Sequence, residues 1–560
     1  TGIGKTISSV FPAVKAMGEG KTSKIFYLTA KTTTQKVAEE AFQRMRDKGL
    51  QFISITITAK DKICFKEERE CNPRYCEYAK GHFDRINEAL MDMLCNETQM
   101  DREKLLLYAE KHRVCPFEYS LDLAIWADCV ICDYNYLFDP SASLKRFFMD
   151  KKSDFTFLID EAHNLVDRAR EMYSAELHKK DFLELKKQMK DKNKELHTAC
   201  GSINKYFIEF KKKLENENHF VSREEDKDLY HLLNSFVIKA DKYLAMNEDS
   251  HKDEEFMSLY FGVLNLLKIS ENYDEHYVTY IERFSSDVRL KLFCHDPSLL
   301  ISQVLKKGRA AVFFSATLLP MDYFLEILGG GENSKAIYLH SPFDIRNRCL
   351  LIGDNVATRY TKRDTSYSRI ADYLYSTVES KTGNYMVFFP SYKYMENVYE
   401  EFMARYPGFN VKIQSPGMTE EEKELFMEFF QPEPKAHNIG FCVLGGVYSE
   451  GIDLRDDRLI GVVIVGVGLP QLCLERDIIK DYYDNKNHKG FEYSYMYPGM
   501  NKVMQAAGRL IRSETDRGVI LLLDERFSRW DYQKLFPREW FPHTKVNENC
   551  LPKILKDFWS

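Results

Sequence analysis

Three things are scarce in this sequence, and each scarcity excludes something. There is no surplus of positive charge: 79 Lys and Arg stand against 85 Asp and Glu, a formal net charge of −6. A protein that grips nucleic acid by its overall charge is excluded, so any such binding must come from local basic grooves. There is no long apolar run. The longest, Leu459 to Leu469, is rich in Val and Gly and too short to span a bilayer; it reads as a buried strand, and no membrane partner is expected. Cysteine is thin for the length, 13 in 560 residues. That does not make a disulfide scaffold; in a reducing cytosol, clustered cysteines more often bind metal. What is present is a 44% hydrophobic chain with no visible signal peptide, long enough for three or four domains with real cores.

The first six residues, Thr1-Gly2-Ile3-Gly4-Lys5-Thr6, read as the second half of a phosphate-binding loop, G-x-x-x-x-G-K-[ST]. Gly2 and Gly4 allow a tight turn that points N–H groups at phosphate oxygens; Lys5 reaches the β- and γ-phosphates, and the Thr6 hydroxyl holds Mg²⁺. A helix is expected to follow at once, its N-terminal end facing the phosphates. Ile7, Val10, Val14 and Met17 suit it, and Pro12 is expected to kink or shorten it. The loop's opening residue and the strand feeding it would lie before Thr1, so the chain is expected to be a fragment without its natural start.

Lys24 to Ala30 is strand-like and leads into Lys31-Thr32-Thr33-Thr34-Gln35, then a helical pattern from Val37 to Met45. Lys and Thr at a sheet's carboxyl edge either meet a nucleic-acid backbone or cap the helix. Cys64, Cys71, Cys76 and Cys115 follow, separated by six, four and thirty-eight residues. Zinc sites favour tight C-x₂₋₄-C pairs, and this irregular set suits an iron–sulfur cluster at least as well. Cys115 is preferred to Cys95 because Pro116 and Phe117 end the preceding helix. Cys129 and Cys132 lie three apart in an apolar run; in a strand they face opposite sides and belong to the core.

Phe155 to Ile159 is a buried strand that delivers Asp160-Glu161-Ala162-His163. Asp160 is placed to hold Mg²⁺, Glu161 to polarise the attacking water, and His163 to couple the nucleotide to other motifs. From about Ala175 to Leu299, apolar residues such as Phe182, Leu185, Phe207 and Phe236 recur at helical spacing among many Lys and Glu, which predicts an inserted bundle of four or more helices. Strand character returns at Ala310 to Phe314 and ends in Ser315-Ala316-Thr317, hydroxyls suited to linking the ATP site to a second domain. A second alternating region follows, with strands at Tyr385–Phe389, Ile439–Leu444, Ile460–Val465 and Val519–Leu523, predicting a parallel sheet covered on both faces. Gln505 to Arg512 looks helical, with Arg509 and Arg512 on one face, as arginine fingers aimed at a γ-phosphate require.

Together these residues resemble the XPD/DinG family of superfamily 2 DNA helicases. TGIGKT resembles motif I, LTAKTTTQ motif Ia, DEAH motif II, SATL motif III, GGVYSEGID motif V and QAAGRLIR motif VI. The resemblance implies an α/β fold with two RecA-like motor domains, an iron–sulfur domain and a helical arch domain. Residues 1–60, 121–174 and 300–345 are expected to form the first motor domain, 61–120 the iron–sulfur domain, 175–299 the arch and 346–560 the second motor domain. It further implies ATP and Mg²⁺ at Gly2, Gly4, Lys5, Thr6 and Asp160, with Gly451 and Asp453 linking ATP to DNA. Glu161 would be catalytic, Gln505, Arg509 and Arg512 would complete the site, and His163, Ser315 and Thr317 would couple it. Cys64, Cys71, Cys76 and Cys115 would ligate a 4Fe-4S cluster. The implied activity is ATP-driven 5′→3′ movement on single-stranded or forked DNA, in the cytoplasm or bacterial nucleoid. An ATP-gated clamp or remodeller needs the same ATP motifs, and a strand-displacement assay separates it from a helicase.

Overall fold

Two parallel sheets carry the molecule, and the apolar runs of the sequence are their strands. The computed structural model describes residues 4–67, 71–148, 153–214, 218–247, 253–285, 287–449, 454 and 456–560. Gly2, Gly451 and Asp453 lie outside the described residues. The first sheet begins with β1 (Lys24–Leu28), β2 (Ser54–Thr56), β3 (Gln99–Met100), β4 (Cys129–Cys132) and β5 (Phe155–Asp160). The chain then leaves to build a separate antiparallel sheet from β6 (Ala175–His178), β7 (His219–Ser222), β8 (Tyr277–Phe284) and β9 (Asp287–Cys294). It returns at β10 (Ala310–Phe314), completing the first sheet in the order β10-β5-β1-β4-β2-β3. Every pairing within that sheet is parallel.

A parallel sheet covered on both faces needs strands that are apolar on both sides. In β1, Ile25 and Tyr27 pack with Val10, Ala38 and Phe42 on one face, while Phe26 and Leu28 enter the cluster on the other. Cys129 and Cys132 divide in the same way, one to each face, and both are fully buried. They are core residues, as their spacing predicts. The helix Lys5–Gly18 covers the first face and continues past Pro12, which stands on its exposed side and does not shorten it. Val10 and Ala13 are its buried residues, and Ile7 is left 39% exposed.

The inserted region differs from the expected bundle. It holds the helices Lys179–Gln188, Lys194–Lys213, Lys227–Met246 and Glu254–Ser270, and beside them the antiparallel sheet in the order β6-β9-β8-β7. The strand β9, DVRLKLFC, buries Val288, Leu290 and Leu292 in strict alternation. That period of two is a strand signal interleaved with charged residues, which helical counting absorbs into its pattern.

The second parallel sheet has β11 (Arg348–Gly353), β12 (Asn384–Phe389), β13 (Asn410–Ile413), β14 (Asn438–Val443), β15 (Gly461–Val465), β16 (Gly518–Leu523) and β17 (Thr544–Lys545). Their order is β13-β14-β12-β15-β16-β11-β17. One face packs into a cluster of its own, with Leu351, Val387, Val463 and Leu521. The other, with Ile352, Met386, Ile464 and Leu522, joins the cluster that lines the first sheet. The two sheets therefore share a continuous core. Among the described residues no helix is long and apolar enough to cross a membrane.

Candidate active site

The site forms where β1 and β5 end beside the start of the first helix. Gly4 closes the loop with φ +70, a left-handed conformation that glycine adopts without strain, and a Cβ there would stand 3.2 Å from Ile7 Cγ2. Lys5 is the first residue of the helix, whose first turn carries no acidic side chain. A helix N-terminus of this kind presents free N–H groups and a positive dipole end, favourable to an anion.

β5 lies between β1 and β10 and ends at Asp160, a residue only 3% exposed. Its Oδ1 accepts from the Glu161 N–H at 2.8 Å and its Oδ2 from the Tyr27 hydroxyl at 2.6 Å. Glu161 follows with φ +46, a left-handed non-glycine residue, the kind of strained backbone that collects at functional sites. The Tyr134 hydroxyl donates to the carbonyls of both Asp160 and Glu161, bracing that turn. Glu161 Oε1 meets Lys5 Nζ at 2.8 Å and Oε2 accepts from the Ser315 hydroxyl at 3.0 Å. Ser315 in turn stands 2.7 Å from His163 Nδ1. A serine has one hydroxyl proton; with that proton given to Glu161, His163 Nδ1 is the donor to serine.

The two acids are pushed apart. Burial, then the neighbouring Glu161 charge, raises Asp160 above the ordinary carboxylate range. Burial also works against Glu161, but the Lys5 ammonium, followed by His163, holds it below that range. Glu161 is therefore kept as a carboxylate with its proton acceptor exposed to Lys5, an arrangement suited to a group that orients water.

Thr317 lies just past β10, buried, with its hydroxyl without a hydrogen-bond partner. It lines a cavity of about 60 Å³ shared with Ala316, Arg348, Met504, Gly508 and Glu539. This cavity joins the Ser315–Thr317 turn to the second sheet's helix Tyr497–Ala507. Gln505 sits in that helix, 7% exposed, with its Oε1 unpartnered. The helix stops at Ala507, so Arg509 and Arg512 are not on one helical face; the expectation is corrected. Gly508 occupies the C-cap, and Asp516 then draws the backbone aside by accepting from the N–H groups of Arg512 and Ser513. Arg509 Nε donates to the Ser449 carbonyl at 3.2 Å.

The four candidate cluster cysteines are all free thiols. Cys115 is the N-cap of the helix Pro116–Trp126, so Pro116 begins a helix, where a missing N–H costs nothing, instead of ending one. Burial pushes its thiol up, against the N–H groups of Glu118 and Phe117 that favour a thiolate. Cys71 is the largest influence raising the Lys60 amine, and Cys115 adds to it. The donor set fits a thiolate-bound iron–sulfur cluster in kind and number. In position, among the described residues no group of three or more His, Cys, Asp or Glu side chains is placed to hold a metal ion. Sequence reasoning missed Tyr27 and Tyr134; the signal for Tyr27 was a lone hydroxyl inside the otherwise apolar run Ile25–Leu28.

With this geometry in hand, comparison with known proteins is informative. Residues 374–543 match the family Helicase C-terminal domain, and residues 53–182 match DEAD_2. The ATP-dependent DNA helicase XPD of Sulfolobus acidocaldarius is 24% identical over 95% of this chain and 92% of its own length. The ATP-dependent DNA helicase CHL1 of Eremothecium gossypii is 22% identical over 82% of this chain, which spans 63% of that relative. A solved XPD helicase structure superposes with a TM-score of 0.64 at 20% identity, covering 98% of this chain and 94% of the other. The S. tokodaii Xpd4 structure gives 0.53 at 16% identity, covering 97% and 99%. The fold is the α/β fold of the XPD structures, with two RecA-like domains. Over nearly its whole length the chain is similar to XPD-type DNA helicases, and its two family matches fall one on each parallel sheet's part of the sequence.

Proposed function

We propose that this chain is an ATP-dependent DNA helicase of the DEAH type that moves 5′→3′ along single-stranded DNA and opens a forked duplex. The observation that carries the reading is the continuous path Lys5–Glu161–Ser315–His163, which ties the phosphate loop to the end of β10. In the proposed cycle the γ-phosphate of ATP takes Lys5 from Glu161, and Glu161, still ionised, orients the attacking water. Asp160 and Thr6 would hold Mg²⁺, whose charge neutralises the β- and γ-phosphate oxygens. Gln505, Arg509 and Arg512 would close on the nucleotide from the second motor domain, with Thr317 in the cleft between. Loss of the γ-phosphate would release Glu161 to Lys5 and let the cleft open, and Ser315 and His163 would pass that change toward DNA. Gly2, Gly451 and Asp453 are assigned to the nucleotide and DNA-linking motifs from their sequence positions.

The same reading assigns Cys64, Cys71, Cys76 and Cys115 to a 4Fe-4S cluster, which would brace residues 61–120 as a rigid body. Residues 1–60, 121–174 and 300–345 make the first motor domain in this scheme, 175–299 the arch and 346–560 the second motor. The expected workplace is chromosomal DNA, in repair. The test is ATP hydrolysis with and without single-stranded DNA on protein purified without oxygen, with Glu161→Gln as control. DNA-stimulated turnover that drops at least a hundredfold in Glu161→Gln is expected. A folded wild-type protein that shows no DNA-stimulated turnover would overturn the reading.

A further inference from the structure

Tyr27 is fully buried in the middle strand of its sheet and faces the helix Lys5–Gly18, in a cluster with Val10 and Ala13. A phenol in such a place needs a polar partner. The Tyr27 hydroxyl donates to Asp160 Oδ2 at 2.6 Å. Phe314, at the end of β10, stands edge-on to the ring at 6.1 Å and limits its rotation. The other oxygen of Asp160 is pinned by the Glu161 N–H at 2.8 Å. Both oxygens of this carboxylate are therefore fixed, one by a side chain of the neighbouring strand and one by the backbone of the turn that follows β5.

We propose that Tyr27 is a positioning residue for the Mg²⁺ of the ATP site: its hydroxyl holds the Asp160 carboxylate in one arrangement before the ion arrives. The proposal rests on the ATP reading above and adds a residue that no phosphate-loop or acidic motif contains. The physical argument is one of freedom removed. The Asp160 side chain has its own rotamers, and an ion must immobilise it unless something else already has. Tyr27 does so from the neighbouring strand β1, 133 residues away in sequence. A purely structural tyrosine would take Asp160 as a convenient acceptor, and its removal would change stability alone.

The experiment compares wild type with Tyr27→Phe, which removes one oxygen atom and keeps the ring. The readouts are the Mg²⁺ concentration giving half-maximal ATP hydrolysis, the same titration with Mn²⁺, and the melting temperature. The half-maximal Mg²⁺ concentration is expected to rise about tenfold, the usual scale for loss of a partner that orients a metal ligand. Turnover at saturating Mg²⁺ should stay within about twofold, and the Mg²⁺-to-Mn²⁺ ratio should change. An unchanged Mg²⁺ curve in a folded, active Tyr27→Phe protein overturns the proposal, whatever happens to the melting temperature. Should Tyr27→Phe not fold, 3-fluorotyrosine at position 27 keeps the shape and strengthens the donor; a Mg²⁺ curve identical to wild type overturns the proposal there too. A wild type without DNA-stimulated hydrolysis is a separate result that strikes the ATP reading. The Tyr27 proposal is then decided by Mg²⁺-dependent binding of a fluorescent non-hydrolysable ATP analogue to both proteins, which must differ in its Mg²⁺ midpoint or the proposal falls.

Discussion

At the scale of single residues, Ser315 is where the geometry makes its sharpest demand. One hydroxyl serves both Glu161 and His163, at 3.0 and 2.7 Å. Removing it takes from Glu161 the donor at 3.0 Å and from His163 its 2.7 Å partner, leaving Lys5 as the near partner of Glu161. Hydrogen bonds to charged groups contribute about 1.5–3 kcal/mol, against about 1 for neutral pairs. Ser315→Ala is therefore expected to lower kcat for DNA-stimulated ATP hydrolysis about tenfold or more. KM for ATP should stay within about twofold, because Lys5, Thr6 and the helix N-terminus are untouched. Steady-state kinetics checks this split; a rise in KM with kcat preserved would place Ser315 in binding instead of catalysis. Pairings like these are hidden from sequence reading for a plain reason. The motif residues were legible because each motif is local, whereas the bonds joining Ser315 to Glu161 and Tyr27 to Asp160 cross more than 130 residues of chain. Periodicity reports which face a residue takes and says nothing about which distant residue faces it.

At the scale of elements, what was legible follows the same rule. Uninterrupted apolar runs bounded by turns became β1, β4, β5 and the central strands of the second sheet, because strands buried on both faces leave that signature. The edge strands β3, β13 and β17, the three-residue β2, the strand β11 and the whole sheet β6–β9 were missed; several of them are very short or carry charge within the strand, as Lys412 does in β13 and Arg348 in β11. The helix carrying Gln505 was visible, but its end was not, since Gly508 stops it in concert with Asp516, which lies eight residues further on. One missed element also has a measurable pH signature. His295, just past β9, is 2% exposed and its ring centroid lies 4.2 Å from that of Tyr482 on the helix Leu474–Asn487. Burial drives its pKa down to about 3, with Arg170, His276 and Arg223 adding to the effect and Asp296 opposing it. The folded protein thus keeps His295 neutral, while the unfolded chain takes up a proton below about pH 6.5. Stability from this residue is complete above pH 6.5 and is lost as pH falls toward 3, by about 1.4 kcal/mol per unit. Between pH 6.5 and 5.0 wild type is expected to lose about 2 kcal/mol more than His295→Gln, read from urea midpoints at the two pH values.

At the scale of the whole molecule, the helix Leu474–Asn487 decides which parts move together. It belongs to the chain between β15 and β16, yet its polar partners lie elsewhere. Glu475 accepts from Tyr280 at 2.8 Å and Lys291 at 2.6 Å, Arg476 meets Asp167 at 3.2 Å, and Lys486 bridges Asp296 at 3.1 Å and Glu326 at 2.9 Å. These contacts clamp the second sheet's side of the core to the antiparallel sheet and to the helix after β10. They are not equal. Glu475 and Asp167 keep partial exposure, whereas the Asp296 side chain is wholly buried. Burial alone would raise Asp296, and Lys486 instead holds it below the ordinary carboxylate range. An exposed pair contributes about 0–1 kcal/mol, but a buried carboxylate stripped of its cation costs about 3–5 kcal/mol. Lys486→Met is therefore expected to destabilise the protein by about 3 kcal/mol in urea unfolding, and Glu475→Gln by less than about 1. The double variant Asp296→Asn/Lys486→Met should recover most of the loss, because the one charge that still loses its cation, Glu326, is partly exposed. If Lys486→Met proves as mild as Glu475→Gln, the helix is a surface contact and the two sheets are free to part along this side. If it is as costly as expected, this side is the fixed one. An opening between the sheets is then expected at the cavity lined by Thr317 and Gly508, which lies between the turn after β10 and the second sheet's helix Tyr497–Ala507.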